Sequence, residues 1–380
     1  MVPSPTPERS SAQPPQRPPA WDGAWETEWD RRDAHQHDLA PVRVVRIDKG
    51  GISVAPKSGT ELLVVAAKAV RRVVVGDVCG CDIEAGRIES ILERRTVFER
   101  RAPGAERDTV AVTSKAIAAN MDVVLVLHGL DVGVNPGRLA REMVLAWESG
   151  ARPVVVLTKT DLCTSTEVAD RRALAQCFAP GVPVVAVSSK AAPTERAGEA
   201  ESADTVALSD TTELDAHLPP GTVAALLGAS GTGKSSLANA LAGHPVQLTG
   251  EVREGDQRGR HTTTAGQMLP LTEDRWLIDT PGIRGVGLWH ADDGLEKAFA
   301  DLSPYAQRCR FDDCTHDAEP GCGIVEAVES GDLPAERLEV WHQLLAEVEQ
   351  LEAQSEELDR EAEREANQRS RRKAANRRSR

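Results

Sequence analysis

The chain has 380 residues, of which 40% are hydrophobic and 27% charged, with seven cysteines and a formal net charge of −14. This composition is typical of a soluble globular protein with two or three domains, and no apolar run approaches the roughly 18 residues that span a bilayer. The start of the chain is proline-rich rather than apolar, so we expect a cytoplasmic protein without a signal peptide. An odd number of cysteines, three of them clustered, argues against a disulfide framework and for metal ligation.

Residues 1–40 are rich in Pro, Gln, Ser and charged residues, which predicts a disordered extension. Within it, Trp21, Trp25 and Trp29 recur every four residues, a spacing that places them on one face of a helix. Two interpretations stay open. The tryptophans could form a docking segment for a partner, or they could form a hydrophobic patch folded back on the body of the protein, which we favour.

Residues 41–110 predict a small β-barrel. Short β-rich runs, separated by glycine-containing turns, lie at residues 42–47, 51–54, 61–66, 73–75, 79–83 and 87–92. Such a set suits a barrel of the oligonucleotide-binding type, and a barrel used only for packing is the alternative. Basic residues at the end of this region slightly favour a nucleic-acid-binding face.

Residues 111–287 predict a doubly wound α/β domain. Apolar runs at residues 121–127, 153–157, 183–187, 223–227 and 275–278 are separated by helical patterns such as those at residues 137–149 and 165–177. This alternation indicates a parallel sheet with helices on both faces. A further short run at residues 268–271 contains Pro270, which predicts an edge strand.

Two polar loops follow the second and third of these strands. At the end of a parallel strand, the Asp161 carboxylate could accept hydrogen bonds from N1 and the 2-amino group of guanine, while the Lys159 stem packs on the base. Adenine lacks both donors, so this arrangement would select guanine. The loop after the third strand could support the base through backbone N–H groups. The residues proposed to bind the base are Thr158, Lys159, Thr160, Asp161, Ser188, Ser189 and Lys190. Thr158 stands where this motif usually has Asn.

A glycine-rich loop follows the fourth strand and precedes a helix. Its pattern, Gly-x-x-x-x-Gly-Lys-Ser, directs backbone N–H groups and a helix N-terminus at the phosphates of a nucleotide. Lys234 would reach the β- and γ-phosphates, and Ser235 would supply a hydroxyl to Mg²⁺. The phosphate-binding residues are Gly228, Ala229, Ser230, Gly231, Thr232, Gly233, Lys234, Ser235 and Ser236. The sequence therefore predicts binding of a nucleoside triphosphate.

The last strand ends in an Asp-x-x-Gly motif. Asp279 is placed to hold Mg²⁺ through water, and the Gly282 N–H to sense the γ-phosphate. Between this motif and the phosphate loop lies the polar segment 259–264, in which Thr262 and Thr263 could complete the Mg²⁺ shell as a switch.

Ile283 occupies the position after Gly282, where Ras-like proteins have a Gln that orients the attacking water. Isoleucine cannot do this, so we expect slow intrinsic hydrolysis that a partner or another side chain must assist. His261 is the best candidate within the switch, and a packing or loop-bonding role for His261 is the alternative.

The motifs occur in an unusual order: base loops, phosphate loop, switch, Asp-x-x-Gly. Ordinary GTPases begin with the phosphate loop. A circular permutation gives the observed order and keeps each loop at the same end of its strand.

The C-terminal region contains the spacing Cys-x4-Cys-x-His-x5-Cys. Three thiolates and one imidazole predict a closed tetrahedral zinc site of structural type. Its ligands are Cys309, Cys314, His316 and Cys322. Beyond it, residues 334–365 predict one or two amphipathic helices. A basic tail from Arg369 to Arg380 is the strongest candidate for electrostatic contact with RNA.

Together, the permuted motif order and the cysteine cluster resemble the bacterial small-ribosomal-subunit-dependent GTPases, the RsgA (YjeQ/EngC) family, over about residues 41–345. The resemblance implies an oligonucleotide-binding-type barrel (41–110), a circularly permuted GTPase domain (111–287) and a zinc-binding domain (288–350), here followed by a charged helix and tail (351–380). It also implies binding to the small ribosomal subunit and its rRNA, and hydrolysis of GTP to GDP that the subunit stimulates during late maturation.

Other functions stay open. A GTPase serving a different RNA–protein particle would keep every motif. An RNA-binding P-loop NTPase of broader base specificity would need adenine tolerance, which Asp161 disfavours. A non-enzymatic RNA-binding protein is less consistent with Lys234, Ser235 and Asp279 together. One complete nucleotide site per chain makes a monomer sufficient.

Overall fold

The computed structural model describes residues 17–31, 39–70, 72–101, 114–188, 211–246, 266–279, 288 and 291–378. In these residues the strands are β1 (Ala40–Asp48), β2 (Gly51–Lys57), β3 (Thr60–Ala66), β4 (Val78–Asp82), β5 (Arg87–Ile91), β6 (Val97–Arg101), β7 (Ser114–Ala119), β8 (Val123–Gly129), β9 (Arg152–Thr158), β10 (Val184–Ala186), β11 (Val223–Gly228), β12 (Gly266–Pro270) and β13 (Trp276–Asp279). The helices are α1 (Gly23–Asp30), α2 (Pro136–Glu148), α3 (Ser165–Phe178), α4 (Thr212–Asp215), α5 (Lys234–Ala242), α6 (Asp292–Ala298), α7 (Ser303–Ala306), α8 (Gly323–Ser330) and α9 (Ala335–Arg378).

Strands β1 to β5 form the barrel predicted from the sequence. β1 pairs with β2, β2 with β3, β3 with β5 and β5 with β4, and β4 pairs back with β1 to close the ring. Alternate residues point inward and are buried, among them Val42, Val44, Val54 and Ile88. Closure leaves no open edge within the ring.

The predicted strand at residues 73–75 is not formed. Val75 makes only an isolated bridge to Ala118, and the Asp77 carboxylate accepts a hydrogen bond from the Val74 N–H at 2.8 Å. The following Gly76 has φ +90°, and a Cβ there would lie 2.0 Å from the Ala119 carbonyl oxygen. This segment is therefore a tight turn that brings the barrel against the end of β7, and glycine is required at its closest point.

The predicted doubly wound sheet is confirmed. Its parallel strands stand in the order β10-β9-β8-β11-β13. Every residue of β8 and of β11 is buried, as expected for strands covered by helices on both faces. Helix α2 begins at Asn135, whose side chain accepts a hydrogen bond from the Arg138 N–H, and α3 begins with a capping box between Thr164 and Glu167.

The prediction that residues 268–271 form an edge strand is wrong. β12 lies between β13 and β1 and joins the two parts of the molecule into one continuous sheet. Only Gly266 and Gln267 pair with β1, whereas Pro270 lies beyond that ladder and pairs with Trp276 of β13. Proline is tolerated here because the β1 side of the strand needs no N–H donor at Pro270.

Residues 17–31 differ from the disorder expected for residues 1–40. They form α1, and Trp25 is 3% exposed between Val78 and Leu92 of the barrel. The Arg95 guanidinium lies 3.6 Å from the centroid of the Trp25 ring. The buried Arg43 donates hydrogen bonds to the carbonyl oxygens of Pro19 and Ala20, and burial lowers its pKa to about 10. The tryptophan patch is thus folded back on the body; residues 1–16 and 32–38 lie outside the description.

We expect Trp25→Ala to lower the free energy of unfolding by about 3 kcal/mol, because it removes a large buried ring and leaves a cavity. Urea denaturation followed by circular dichroism measures the change. The exposed Asp30→Ala on the same helix is the control. Equal midpoints for the two variants would contradict the packing role of Trp25.

Helices α6 and α9 pack on α2, and α9 also contacts the end of α3. Arg337 of α9 is fully buried and donates to the Phe178 carbonyl oxygen, to the Ala298 carbonyl oxygen and to the Asp301 carboxylate. On α2, the Glu148 carboxylate accepts from the Gly294 N–H at 2.8 Å, and burial raises the Glu148 pKa. The helical pattern at residues 334–365 forms a single helix, α9, whose 44 residues continue through most of the segment expected as a separate basic tail. No helix in the described ranges is long and apolar enough to cross a membrane.

Candidate nucleotide site and metal cluster

The carboxyl ends of the parallel strands bring the predicted base and phosphate loops together. Gly228 at the end of β11 pairs with Leu127 of β8, and Gly129 at the end of β8 pairs with Thr158 at the end of β9. On the other side of β11, β13 ends at Asp279. The base loop, the phosphate loop and the first residue of the Asp-x-x-Gly motif therefore share one edge of the sheet, as their positions in the sequence predicted.

The phosphate loop adopts a compact turn between β11 and α5. Gly228, Gly231 and Gly233 have φ angles of +147°, +81° and +87°, and a Cβ on Gly228 would lie 2.7 Å from the Leu127 carbonyl oxygen. The Lys234 ammonium donates to the Gly228 carbonyl oxygen at 2.9 Å and to that of Ala229. This geometry places the lysine charge inside the curve of the loop, with Ser235 and Ser236 following in the first turn of α5. The cradle can receive phosphate groups.

Thr158 connects the base loop to the phosphate loop. Its side chain is buried, and its hydroxyl donates to the Thr232 carbonyl oxygen at 2.7 Å. This hydrogen bond between the two loops needs only one donor, so threonine suffices where the motif usually has Asn. Threonine in place of the usual Asn at position 158 therefore still connects the base loop to the phosphate loop.

We expect Thr158→Val to weaken GDP binding about tenfold, because the buried Thr232 carbonyl would lose its donor and the loop its fixed position. Thr158→Ser keeps the hydroxyl and is the matched control. Isothermal titration calorimetry measures both affinities. A valine variant that binds as tightly as the serine variant would contradict this role.

The base loop is a tight turn that contacts the loop after β10 through a side-chain hydrogen bond. Lys159 has a left-handed backbone with φ 60°, and Thr160 and Asp161 begin the short 3-10 turn Thr160–Leu162. Ser188, after β10, donates from its hydroxyl to Asp161 Oδ1 at 3.3 Å. The Asp161 side chain is exposed, so it can accept hydrogen bonds from a base.

Several predicted site residues lie outside the described residues. These are Ser189, Lys190, His261, Thr262, Thr263 and Gly282, together with Ile283 and the rest of segment 259–264. Their predicted roles stay predictions.

The four predicted metal ligands form one cluster. The ligand atoms of Cys309, Cys314, His316 and Cys322 all lie within 4.8 Å of one another. Cys309 Sγ is 3.9 Å from Cys322 Sγ, and His316 Nδ1 is 3.5 and 3.4 Å from these two sulfurs. Tetrahedral bonds of about 2.3 Å to sulfur and about 2.0 Å to nitrogen require sulfur–sulfur and sulfur–nitrogen separations of roughly 3.8 and 3.5 Å. The cluster can therefore hold one metal ion.

A carboxylate fixes the loop that carries His316. Glu319 accepts hydrogen bonds from the N–H groups of Thr315 and Asp317 at 2.8 and 3.0 Å, and from the Thr315 hydroxyl. These bonds, the Thr315 hydroxyl first, lower the Glu319 pKa to about 2. The Trp341 ring of α9 packs 5.6 Å from the His316 ring. The metal cluster is thereby tied to the long C-terminal helix.

Residues 91–289 match the family model described as RsgA GTPase. Proteins named small ribosomal subunit biogenesis GTPase RsgA from Streptomyces avermitilis and Streptomyces coelicolor are 37% and 38% identical to this chain. The alignments cover 83% and 84% of this chain and 81% and 83% of those relatives. The chain belongs to the RsgA GTPase family. It is a GTP hydrolase, as the family name states.

Two solved structures share the fold of this RsgA-family chain. YjeQ from Thermotoga maritima matches with a TM-score of 0.59 at 23% identity, covering 82% of this chain and 98% of that one. YloQ, described as a circularly permuted GTPase, matches with a TM-score of 0.54 at 20% identity, covering 84% and 98%. The predicted fold, a barrel followed by a permuted GTPase domain and a C-terminal Cys₃His region, is confirmed.

Asp131 lies in the loop between β8 and α2 and was not among the site residues predicted from the sequence. Its carboxylate accepts a hydrogen bond from the Lys159 ammonium at 2.6 Å. The sequence pattern could have indicated Asp131 as a site residue, because Asp131 follows a buried parallel strand just as Lys159 does.

Proposed function

We propose that this chain binds the small ribosomal subunit and hydrolyses GTP during late subunit maturation, with hydrolysis stimulated by the subunit. The supporting observation is its membership of the RsgA GTPase family, with relatives named for small ribosomal subunit biogenesis that align over more than four fifths of the chain. Ile283 cannot orient the attacking water, so another group must do so, and we propose that the subunit supplies or positions that group.

We assign the proposed site residues to the phosphates, the Mg²⁺ ion, the attacking water and the base. Lys234 binds the β- and γ-phosphates, and Ser235 and Asp279 hold Mg²⁺, with Asp279 acting through water. Further proposed contributors are the Gly282 N–H at the γ-phosphate, the Thr262 and Thr263 hydroxyls at Mg²⁺, and His261 at the attacking water. Guanine is selected by Asp161, whose carboxylate accepts from N1 and the 2-amino group.

The metal that we propose for the Cys₃His cluster is zinc, because soft thiolates with one imidazole in a closed tetrahedral set suit Zn²⁺. All four protein ligands are supplied, so the ion has a structural role and holds the loop between α7 and α8. A nucleotide-bound Mg²⁺ is the second proposed ion.

Metal analysis of the purified protein is expected to find one zinc per chain, lost in Cys314→Ser. Because the cluster joins that loop to α9, we expect chelation to lower the melting temperature by at least about 5 °C. The matched control is Cys177→Ser, which removes an exposed cysteine outside the cluster. A zinc content or melting temperature that Cys314→Ser leaves unchanged would contradict the assignment.

The proposed domain limits are residues 41–110, 111–287, 288–350 and 351–380, and we propose a cytoplasmic monomer. The hairpin of β6 and β7 crosses the first of these limits. The basic end of the chain, whose side chains from Arg369 onward lie outside the description, is the proposed electrostatic contact with rRNA. Its removal is expected to flatten the salt dependence of RNA binding.

Co-sedimentation with isolated small subunits tests the proposed partner. We expect retention on the subunit in the presence of a non-hydrolysable GTP analogue and weaker retention with GDP, with large subunits as the control. Absence of binding in both nucleotide states would contradict the proposal and direct the search to another RNA–protein particle.

A further inference from the structure

The Asp131–Lys159 ion pair lies at the edge where the base loop meets the loop after β8. Lys159 Nζ is 2.6 Å from Asp131 Oδ2, and the two side chains are 28% and 36% exposed. The backbone around the pair is tied down as well, since the Leu130 N–H donates to the Thr158 carbonyl oxygen at 3.0 Å. Two loops from neighbouring strands are therefore joined by one main-chain bond and one ion pair.

Gly129 provides the space that the ion pair occupies. A Cβ at this position would lie 2.6 Å from Asp131 Oδ1 and 3.6 Å from both Lys159 Cδ and Lys159 Cε. Without a side chain there, the methylene stem of Lys159 can lie across the end of β8 while its ammonium group reaches the carboxylate. The stem is held at both ends, by the left-handed backbone of Lys159 and by Asp131.

A lysine stem held in this way offers an apolar surface beside the exposed Asp161 carboxylate. A free lysine side chain has many rotamers and would have to be ordered when a purine ring packs on it, which weakens binding. The ion pair removes part of this entropic cost before the nucleotide arrives.

We infer that Asp131 is a positioning residue for the guanine site. Its carboxylate anchors the Lys159 ammonium so that the stem is preset as a wall for the purine ring. The inference rests on the proposed function of Lys159 and Asp161 as the base loop, and it adds a residue from a different strand to that site.

Nucleotide binding by a double-mutant cycle tests the inference. The affinities of Asp131→Ala, Lys159→Ala and the double variant are measured for GDP and for inorganic triphosphate, which fills the phosphate loop and has no base. We expect Asp131→Ala to weaken GDP binding about fivefold and to leave triphosphate binding unchanged. In the Lys159→Ala background, the same change is expected to have less than about a twofold effect, because coupled residues are not additive.

Asp131→Asn removes the charge and keeps the loop shape, so it serves as the second variant, and Asp170→Ala, at an exposed position of α3, controls for loss of one negative charge. Three results would overturn the inference. Asp131→Ala could weaken triphosphate binding as much as GDP binding, it could weaken GDP binding equally with and without Lys159, or it could leave GDP binding unchanged. If Lys159→Ala itself leaves GDP binding intact, the proposed base loop fails, which is a distinguishable result.

Discussion

Lys234→Ala is expected to lower the rate of GTP hydrolysis at saturating GTP by about a hundredfold or more. The ammonium group of Lys234 lies inside the phosphate loop, bonded to the Gly228 and Ala229 carbonyl oxygens. In the proposed site, this ammonium group stabilises the negative charge that develops on the transferred phosphoryl group. No other lysine follows the loop closely in sequence, so none can replace Lys234. Loss of one preorganised positive or donor group at such a site typically costs about 10²–10³ in rate.

Single-turnover phosphate release measures this effect without the influence of product dissociation. The matched control is Lys297→Ala, which removes an exposed lysine from α6. Far-UV circular dichroism verifies that both variants are folded. A Lys234→Ala rate within about threefold of the control would contradict the assignment of the phosphate loop.

Asp161→Asn is expected to reduce the affinity for GTP by about a hundredfold or more and to favour xanthosine triphosphate. In the proposed guanine site, the Asp161 carboxylate accepts hydrogen bonds from N1 and the 2-amino group, whereas an amide would present its NH₂ group to the guanine amino group. Xanthine carries a carbonyl in place of that amino group, and the carbonyl oxygen can accept a hydrogen bond from the amide NH₂ group. Unpaired polar groups in a base site give discrimination of this size.

Competition between GTP and xanthosine triphosphate, using a fluorescent GDP as the reporter, measures the exchange of specificity. Glu349→Gln on the exposed face of α9 is the control for loss of one negative charge. The hydrogen bond from Ser188 to Asp161 tolerates the change, because an amide oxygen also accepts. Unchanged preference for GTP in Asp161→Asn would show that another residue reads the base.

The parts of the site that depend on local chemistry could be predicted from the sequence. Buried apolar runs give parallel strands, so the residues at their carboxyl ends must meet at one edge of the sheet, as Thr158, Gly228 and Asp279 do. The metal cluster was equally accessible, because all four ligands are close in sequence and the ligand types define the chemistry.

Features that depend on contacts between distant segments were missed. The pairing of β12 with β1 rests on two residues of each strand, and nothing in the local pattern of residues 266–270 indicates a second partner. The spacing of the tryptophans favoured a patch folded back on the body, but the composition of residues 17–31 suggested disorder and gave no indication that Trp25 packs against Val78 and Leu92. The Asp131–Lys159 contact likewise depends on the sheet order, which the sequence does not state.

GTP turnover with and without isolated small ribosomal subunits tests the central claim most directly. The proposed function predicts at least about a tenfold stimulation by the subunit, absent in Lys234→Ala, because the partner completes the site that Ile283 leaves without a water-orienting group. Turnover that the subunit leaves unchanged, in a protein that still binds GTP, would contradict the claim.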